Sequence, residues 1–470
     1  MQFVPSTALA LIVVLALLVK GPFRGSWLFL AVAPLGAAAA FNLPAVGGAS
    51  ILIVDLAAMV MFAMVLTSSG GIERLGGTMR PGSPGLALFY LAVFSIIATL
   101  LFPTLFRGMT EVFSISRADN ENGIVSLPLK PNTGNLTQLF RMMLGVITYF
   151  SLATVFRLRP DAVTARNALL VCSAIQVGLG WADVTLDAIG LETLLEPLRS
   201  ANYSILSEVR MVGLKRMIGG FPEASSFGYF TLGLFAFWLQ YWLLTPNSRL
   251  AQIMAILTGI ALLRSTSSAS YVALAMFLLT LGLIGLAGRL RSTVSRRSAA
   301  IFLSALLMSW IVAMAIFAAY EYIELVTQFL DRLLFTKLDS ASGQERGSWN
   351  AQAFRNFLDT YMMGTGLGSV RASSWLMATL ASLGVIGTAI FFTFLYRLAR
   401  LPEPITRGDP SSQERAVIIR SLKTGCLAYF LSSLLTSATP DPNLIFFVFA
   451  GLAAGLSRGA VLDFRESQRR

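Results

Sequence analysis

The sequence predicts an all-α, polytopic integral membrane protein, and three observations carry that prediction. Of its 470 residues, 55% are hydrophobic and only 13% are charged, where soluble domains carry about 25% charge. Mean hydropathy is +0.71. Apolar runs close to the roughly 20 residues that cross a hydrocarbon core recur along the whole chain, which predicts about 12–14 transmembrane helices in a single transmembrane domain over residues 1–470.

Composition also narrows the chemistry. There is no histidine, so imidazole is unavailable as a general base or a metal ligand. The two cysteines, Cys172 and Cys426, each fall inside an apolar run, which suggests neither a disulfide framework nor a thiol site. The net charge of +12 fits the arginine excess of cytoplasmic loops and does not call for a nucleic-acid partner.

Taken in order, crossings are expected near 7–19, 27–43, 50–69, 85–103, 136–156, 162–182, 226–245, 249–263, 268–288, 299–318, 373–396, 421–437 and 442–459. The first run lacks a basic leader and a small-residue cleavage site, so it reads as a retained helix. Arginine placement sets the orientation. Arg157, Arg159 and Arg166 share one loop; Arg289, Arg291, Arg296 and Arg297 another; Arg397, Arg400, Arg407, Arg415 and Arg420 a third; Arg469 and Arg470 end the tail. Alternating the crossings puts all of them on one side, the cytoplasm, with the N-terminus outside and the C-terminus inside.

Three long loops then lie outside, near 104–135, 183–225 and 319–372. In the second, Leu191, Leu194, Leu195 and Leu198 recur at helical spacing; in the third, Ile323, Val326, Leu330 and Leu333 do so. Both are expected to form amphipathic helices on the outer membrane surface or over the bundle.

The stretch Glu345–Ser374 is polar and arginine-bearing within an otherwise apolar sequence. Arg346 opens it, a short helix is expected from Ser348 to about Tyr361, and Gly364, Gly366 and Gly368 lead to Arg371 and Ser373. Glycines beside arginines and a helix start suit an anion, most simply a phosphate; an ordinary loop joining two membrane helices would use the same residues. The pattern recurs at Arg210, Lys215 and Arg216, followed by Gly219–Gly220, Glu223, Ser225 and Ser226, and in shorter form at Arg264 with Ser265, Ser267 and Ser268. If these three helix starts converge, they form a cationic pocket suited to the diphosphate of a membrane lipid; arginines resting at headgroup level are the alternative. Glu223 is the candidate base, or a salt-bridge partner of Arg216. Asp359, four residues after Arg355, is expected to orient that arginine. Asp55 and Arg141 are lone charges in apolar runs, expected to form a buried pair between two helices.

The order arginine, glycine, Phe221-Pro222-Glu223-Ala224-Ser225-Ser226-Phe227-Gly228, then Glu345-Arg346-x-x-Trp349 and the glycine run, resembles the O-antigen ligase and bacterial polysaccharide polymerase superfamily over about residues 205–395. Arg355, ten residues and Gly366 fit the arginine–ten–glycine pattern of the polymerase loops. The resemblance implies a GT-C-like membrane glycosyltransferase with two large extracytoplasmic helical loops, 183–225 and 319–372. It implies an inverting, metal-independent enzyme without cofactor, using an undecaprenyl-diphosphate-linked glycan as donor and another as acceptor at the periplasmic face of the bacterial inner membrane. A chain-length regulator and export machinery are its implied partners. Carried onto this chain, Glu223, Arg216 and Arg355 are the expected catalytic residues. Arg210, Lys215, Arg264, Arg346, Gly366, Gly368 and Arg371 are the expected diphosphate ligands. Two departures stand out: Ser268–Ala269 replaces a Ser-Arg pair, and the outer-loop histidine of the ligases is missing, which favours polymerase over ligase. A ligase, or a transporter or flippase for lipid-linked glycan, is the alternative.

Overall fold

A computed structural model describes residues 1–44, 48–115, 124–206, 209–211, 214–290, 341–406 and 409–467, with eight further residues between 314 and 327. The expected crossing at 299–318, the amphipathic positions Val326, Leu330 and Leu333, and Arg291, Arg296, Arg297, Arg407, Arg469 and Arg470 lie outside the described residues, apart from residues 314 and 318 of that crossing.

The architecture is a helical bundle. In order come α1 (Thr7–Arg24), α2 (Ser26–Val32), β1 (Ala39–Leu43), β2 (Ala49–Leu52), α3 (Ile53–Thr67), α4 (Gly71–Gly76) and α5 (Pro84–Leu105). Then follow β3 (Glu111–Ile115), β4 (Ile124–Pro128), α6 (Thr133–Leu158), α7 (Ala162–Ala188), β5 (Arg210–Met211), β6 (Leu214–Lys215), α8 (Ala224–Leu244), α9 (Arg249–Arg264) and α10 (Ser268–Leu290). The last are α11 (Ala341–Asp359), α12 (Trp375–Ala399), α13 (Pro410–Thr436) and α14 (Leu444–Ser467). Among the described residues, nine of these helices are long and apolar enough to cross a membrane, and α3 is a shorter apolar helix. The chain is a multi-pass membrane protein.

Close approach of small residues organises the centre of the bundle. Along α14, Gly451, Gly455 and Gly459 face α6 at every fourth position; a Cβ at Gly451 would lie 2.8 Å from the Tyr149 carbonyl oxygen, and one at Gly455 would lie 2.9 Å from that of Ala153. Such spacing lets two helix backbones meet where lipid supplies no hydrophobic drive. Trp238, Tyr149, Tyr429, Phe394 and Phe446 fill the remaining core.

Three expectations are corrected. The run 27–43 is not one helix: α2 stops at Val32 ahead of Pro34 and Gly36, and the chain continues into β1, which pairs antiparallel with β2 and bridges Gln2 through Asn42. A proline removes the N–H and crowds the turn a continuing helix would need. The leucines at 191–198 do not form an amphipathic surface helix; Glu192–Leu198 is a short 3₁₀ segment containing Pro197, in which only Leu195 is buried. The helix before the glycine run is already formed at Ala341, the first described residue there and earlier than Ser348, and it ends at Asp359.

The helix ends sort the bundle into two faces. Arg157 donates to the Arg74 carbonyl (2.8 Å), Arg397 to that of Ser83 (3.2 Å), and Arg166–Glu414 and Arg415–Asp463 are ion pairs, each 2.6 Å. These contacts gather the end of α6 and α12 with the starts of α5, α7 and α13 at one arginine-bearing end. The starts of α3, α6, α8 and α14 lie at the other end, where they ring a cavity.

Candidate functional site

Four helix starts build that cavity. Its volume is about 580 Å³, and its walls include Asp55 of α3, Thr137, Gln138 and Arg141 of α6, Glu223, Ser225 and Ser226 at the start of α8, and the 437–443 loop before α14. Helix N-termini carry partial positive charge and unpaired N–H groups, so several aimed at one space favour an anion there. The 437–443 loop is held in place by Trp375, whose Nε1 donates to the Pro440 carbonyl (2.7 Å), and by the Tyr229 hydroxyl, which donates to that of Pro442. Its two prolines and Asn443 at φ 79° fix a tight polar turn.

Arg141 is exposed within this cavity wall. Among the described residues it has no carboxylate within 4 Å, yet its charge acts on Asp55, Asp441 and Tyr203. The expected buried Asp55–Arg141 pair is therefore corrected: Asp55 instead accepts the Leu52 N–H (3.0 Å) and caps α3. Arg141 is left available to a ligand. Asp441 accepts from the Asn443 N–H (2.9 Å) and the Thr439 hydroxyl (3.3 Å); burial pushes its carboxyl above the usual range, with Arg141 pulling it back. Burial likewise raises the Tyr203 phenol to about 12, and its hydroxyl donates to the Gly36 carbonyl.

Glu223 is the N-cap of α8 and accepts hydrogen bonds from the Ser225 and Ser226 hydroxyls, the latter at 3.4 Å. Its charge acts on Arg216, whose pKa burial lowers and Glu223 raises in turn. Arg216 Nε is buried without a hydrogen-bond partner. Glu223 thus stands between the cavity and a cationic hairpin.

That hairpin pairs Arg210 with Lys215 across β5 and β6. Arg264 of α9 donates to the Lys215 carbonyl (2.8 Å), so the sequence-expected cluster of Arg210, Lys215, Arg216 and Arg264 is brought together. Two of its members are already compensated. Lys215 is buried and lies 3.3 Å from both Asp183 and Asp187; Arg210 lies 3.1 Å from Asp187. Asp183, also buried, accepts from Arg199 (2.5 Å) and from the Ile218 and Gly219 N–H groups (2.9 and 3.2 Å). The expected diphosphate role of Arg210 and Lys215 is corrected accordingly: their charges anchor the hairpin to α7.

The described residues of the third loop do not line the cavity. Gly366 and Gly368 adopt positive φ, but protein fills the space beside them: a Cβ would meet the Ala98 carbonyl oxygen at 2.9 Å and the Gly134 carbonyl oxygen at 2.2 Å, and the Gly366 N–H donates to the Ser382 carbonyl (2.9 Å). They form a packing turn, and their expected role as diphosphate ligands is corrected. Arg371 lies over the Trp349 ring at 4.1 Å, and Arg346 and Arg355 are exposed on α11; none of the three lines the cavity. Asp359 accepts from the Thr110 hydroxyl (2.6 Å), which replaces its expected partnership with Arg355.

No protein-family model matches the chain, and no curated protein sequence matches it either. Function is inferred from the cavity's own chemistry.

Proposed function

We propose that the protein is a glycosyltransferase of the bacterial inner membrane that polymerises undecaprenyl-diphosphate-linked repeat units into a surface polysaccharide. The observation that carries this reading is Arg141, a guanidinium without a carboxylate partner among the described residues, in a cavity ringed by helix starts, with Glu223 on the same wall. Guanidinium and helix N-termini are the groups that stabilise a departing diphosphate. In the proposed step, the terminal hydroxyl of the acceptor unit attacks the anomeric carbon of the donor from the face opposite the phosphate. The new C–O bond forms as the bond to the diphosphate oxygen breaks, the hydroxyl proton passes to Glu223, and the bonding pair leaves with the lipid diphosphate. Configuration inverts, and no metal is needed for the charge that builds up. Arg216, with an unpartnered buried Nε beside Glu223, supports the same charge from the hairpin side.

The arginine-bearing end faces the cytoplasm in this reading, because arginine is retained on that side, and the cavity faces the periplasm. Purified protein incubated with lipid-linked repeat units alone tests the activity. A ladder of products supports polymerisation, and product formed only with a different acceptor would identify a ligase. A transporter is the second reading, favoured by carboxylates at Asp55 and Asp441 inside an intramembrane cavity; flipping of labelled lipid in vesicles without polymer would decide for it.

A further inference from the structure

A second cavity, also of about 580 Å³, opens at the opposite, arginine-bearing end of the bundle. Arg80, Arg157, Arg397, Arg400 and Arg458 line it, and no aspartate or glutamate is among the described residues of its wall. Retention of arginine at one membrane face would explain their presence but not their arrangement. Three other arginines at this end are matched, Arg166 with Glu414, Arg415 with Asp463 and Arg420 with Glu403, whereas Arg24, Arg74 and Arg159 form no ion pair among the described residues and lie around a neighbouring cavity. Among the described residues, none of Arg80, Arg157, Arg397 and Arg400 has a carboxylate within 4 Å.

Neutral groups aim three of them. Arg157 donates to the Arg74 carbonyl (2.8 Å), and its Nη1 occupies the space a Cβ on Gly77 would take, 1.7 Å away. Its Nε is buried without a hydrogen-bond partner. Arg397 donates to the Ser83 carbonyl (3.2 Å), and Arg400 donates to the Tyr396 hydroxyl (3.3 Å) with its guanidinium over that ring. The charges that act on Arg157 are those of Arg80, Arg458 and Arg74, all of its own sign. Like charges sharing a partly desolvated space repel, and an anion among them would relieve that repulsion. Tyr149, Ala153, Ala454 and Val461 add a largely apolar wall beside the guanidinium groups, and basic pockets between membrane helices bind anionic lipid headgroups.

We propose that this cavity is a binding site for a phosphate group carrying two or more negative charges, presented as the headgroup of an anionic amphiphile or as a free diphosphate. Several guanidinium groups match such an anion better than a singly charged headgroup, because each can form paired hydrogen bonds to phosphate oxygens. The site is separate from the cavity at the other end and does not depend on the glycosyl-transfer proposal.

The test uses the full chain purified in neutral detergent, titrated with dihexanoyl phosphatidic acid, with inorganic pyrophosphate, and with dihexanoyl phosphatidylcholine as the zwitterionic control. Binding is read by calorimetry, and the unfolding temperature by intrinsic fluorescence. Saturable binding and a raised unfolding temperature are expected with phosphatidic acid, pyrophosphate or both, and not with phosphatidylcholine. Binding of phosphatidic acid alone identifies a lipid headgroup; comparable binding of pyrophosphate identifies the free anion. Arg157→Gln with Arg397→Gln should weaken binding by at least ten- to a hundred-fold, while Arg420→Gln, whose side chain is paired outside the cavity, should not. Should the double variant fail to fold, Arg400→Gln, an exposed position, replaces it with at least a several-fold loss expected. Absence of any probe-induced shift in the wild type, or wild-type affinity in the cavity variants, overturns the proposal.

Discussion

A guanidinium inside a membrane bundle is tolerated only where fields of opposite sign or a bound anion offset its desolvation. At Arg141 the fields come from Asp55 and Asp441, neither close enough for an ion pair. This single side chain therefore holds unspent binding capacity. Arg141→Gln is expected to lower polymer formation by about ten- to a hundred-fold or more, the loss of one or two charge-assisted hydrogen bonds of about 1.5–3 kcal/mol each; gel analysis of product ladders with protein quantified in the membrane fraction checks it. Glu223→Gln should lose about 10²–10⁴-fold by removing the proton acceptor. Asp441 supplies a pH signature. Its carboxyl pKa is raised in the folded protein, so the folded state holds the proton more tightly than the unfolded chain. Its contribution to stability is then present below the ordinary carboxylate range and is lost as pH rises through the raised value. Unfolding temperature should fall less steeply over that rise in Asp441→Asn than in the wild type. At this scale the sequence was partly legible. Glu223 announced itself by its place between a proline and capping serines. Arg141 was visible too, but the pairing assumed for it with Asp55 fails because Asp55 turns to its own helix start. Asp441 was hidden, since a Pro-Asp-Pro-Asn turn looks like any helix connection until the fold swings it into the cavity.

Among the elements, the β5–β6 hairpin and the α6–α14 pair separate structural from functional charge. Lys215 is enclosed with Asp183, Asp187 and Arg199. Lys215→Ala leaves a buried carboxylate short of a partner, and breaking a buried pair costs about 3–5 kcal/mol. The expected outcome is a clear drop in unfolding temperature, whereas a lysine that only bound substrate would leave that temperature unchanged. Gly451→Val inserts a branched side chain where backbone already stands within 2.8 Å of a Cβ; an overpacking cost of about 1–3 kcal/mol or more is expected, again read by thermal unfolding. The helices themselves were legible from hydropathy, with boundaries near those found for α5 through α10. The short helix and strand at 26–43 were not, because an alanine-rich apolar run does not reveal that Pro34 and Gly36 break it. The glycines at 366 and 368 misled for a related reason. Positive φ and close approach were implied by their type, but the partner turned out to be the α5 and α6 backbones.

At the scale of the whole molecule, the two ends of the bundle carry different exposed positions, which makes orientation measurable. Both native cysteines are buried, so single cysteines introduced at exposed positions report without background. Leu194→Cys, at the cavity end, is expected to react with a membrane-impermeant maleimide in intact cells, and Glu73→Cys, at the arginine-bearing end, only after lysis. The reverse pattern would invert the proposed topology. The polytopic class was plain from composition. The convergence of helix starts on one cavity was anticipated in kind, but the starts that meet are those of α3, α6, α8 and α14, because convergence depends on packing order, which local sequence does not encode. The most direct measurement is an electron cryo-microscopy map of the protein with undecaprenyl diphosphate. The account predicts diphosphate density within hydrogen-bonding reach of the Arg141 guanidinium, beside Glu223; density on the Arg346 and Arg355 face of α11, with the cavity empty, would contradict it.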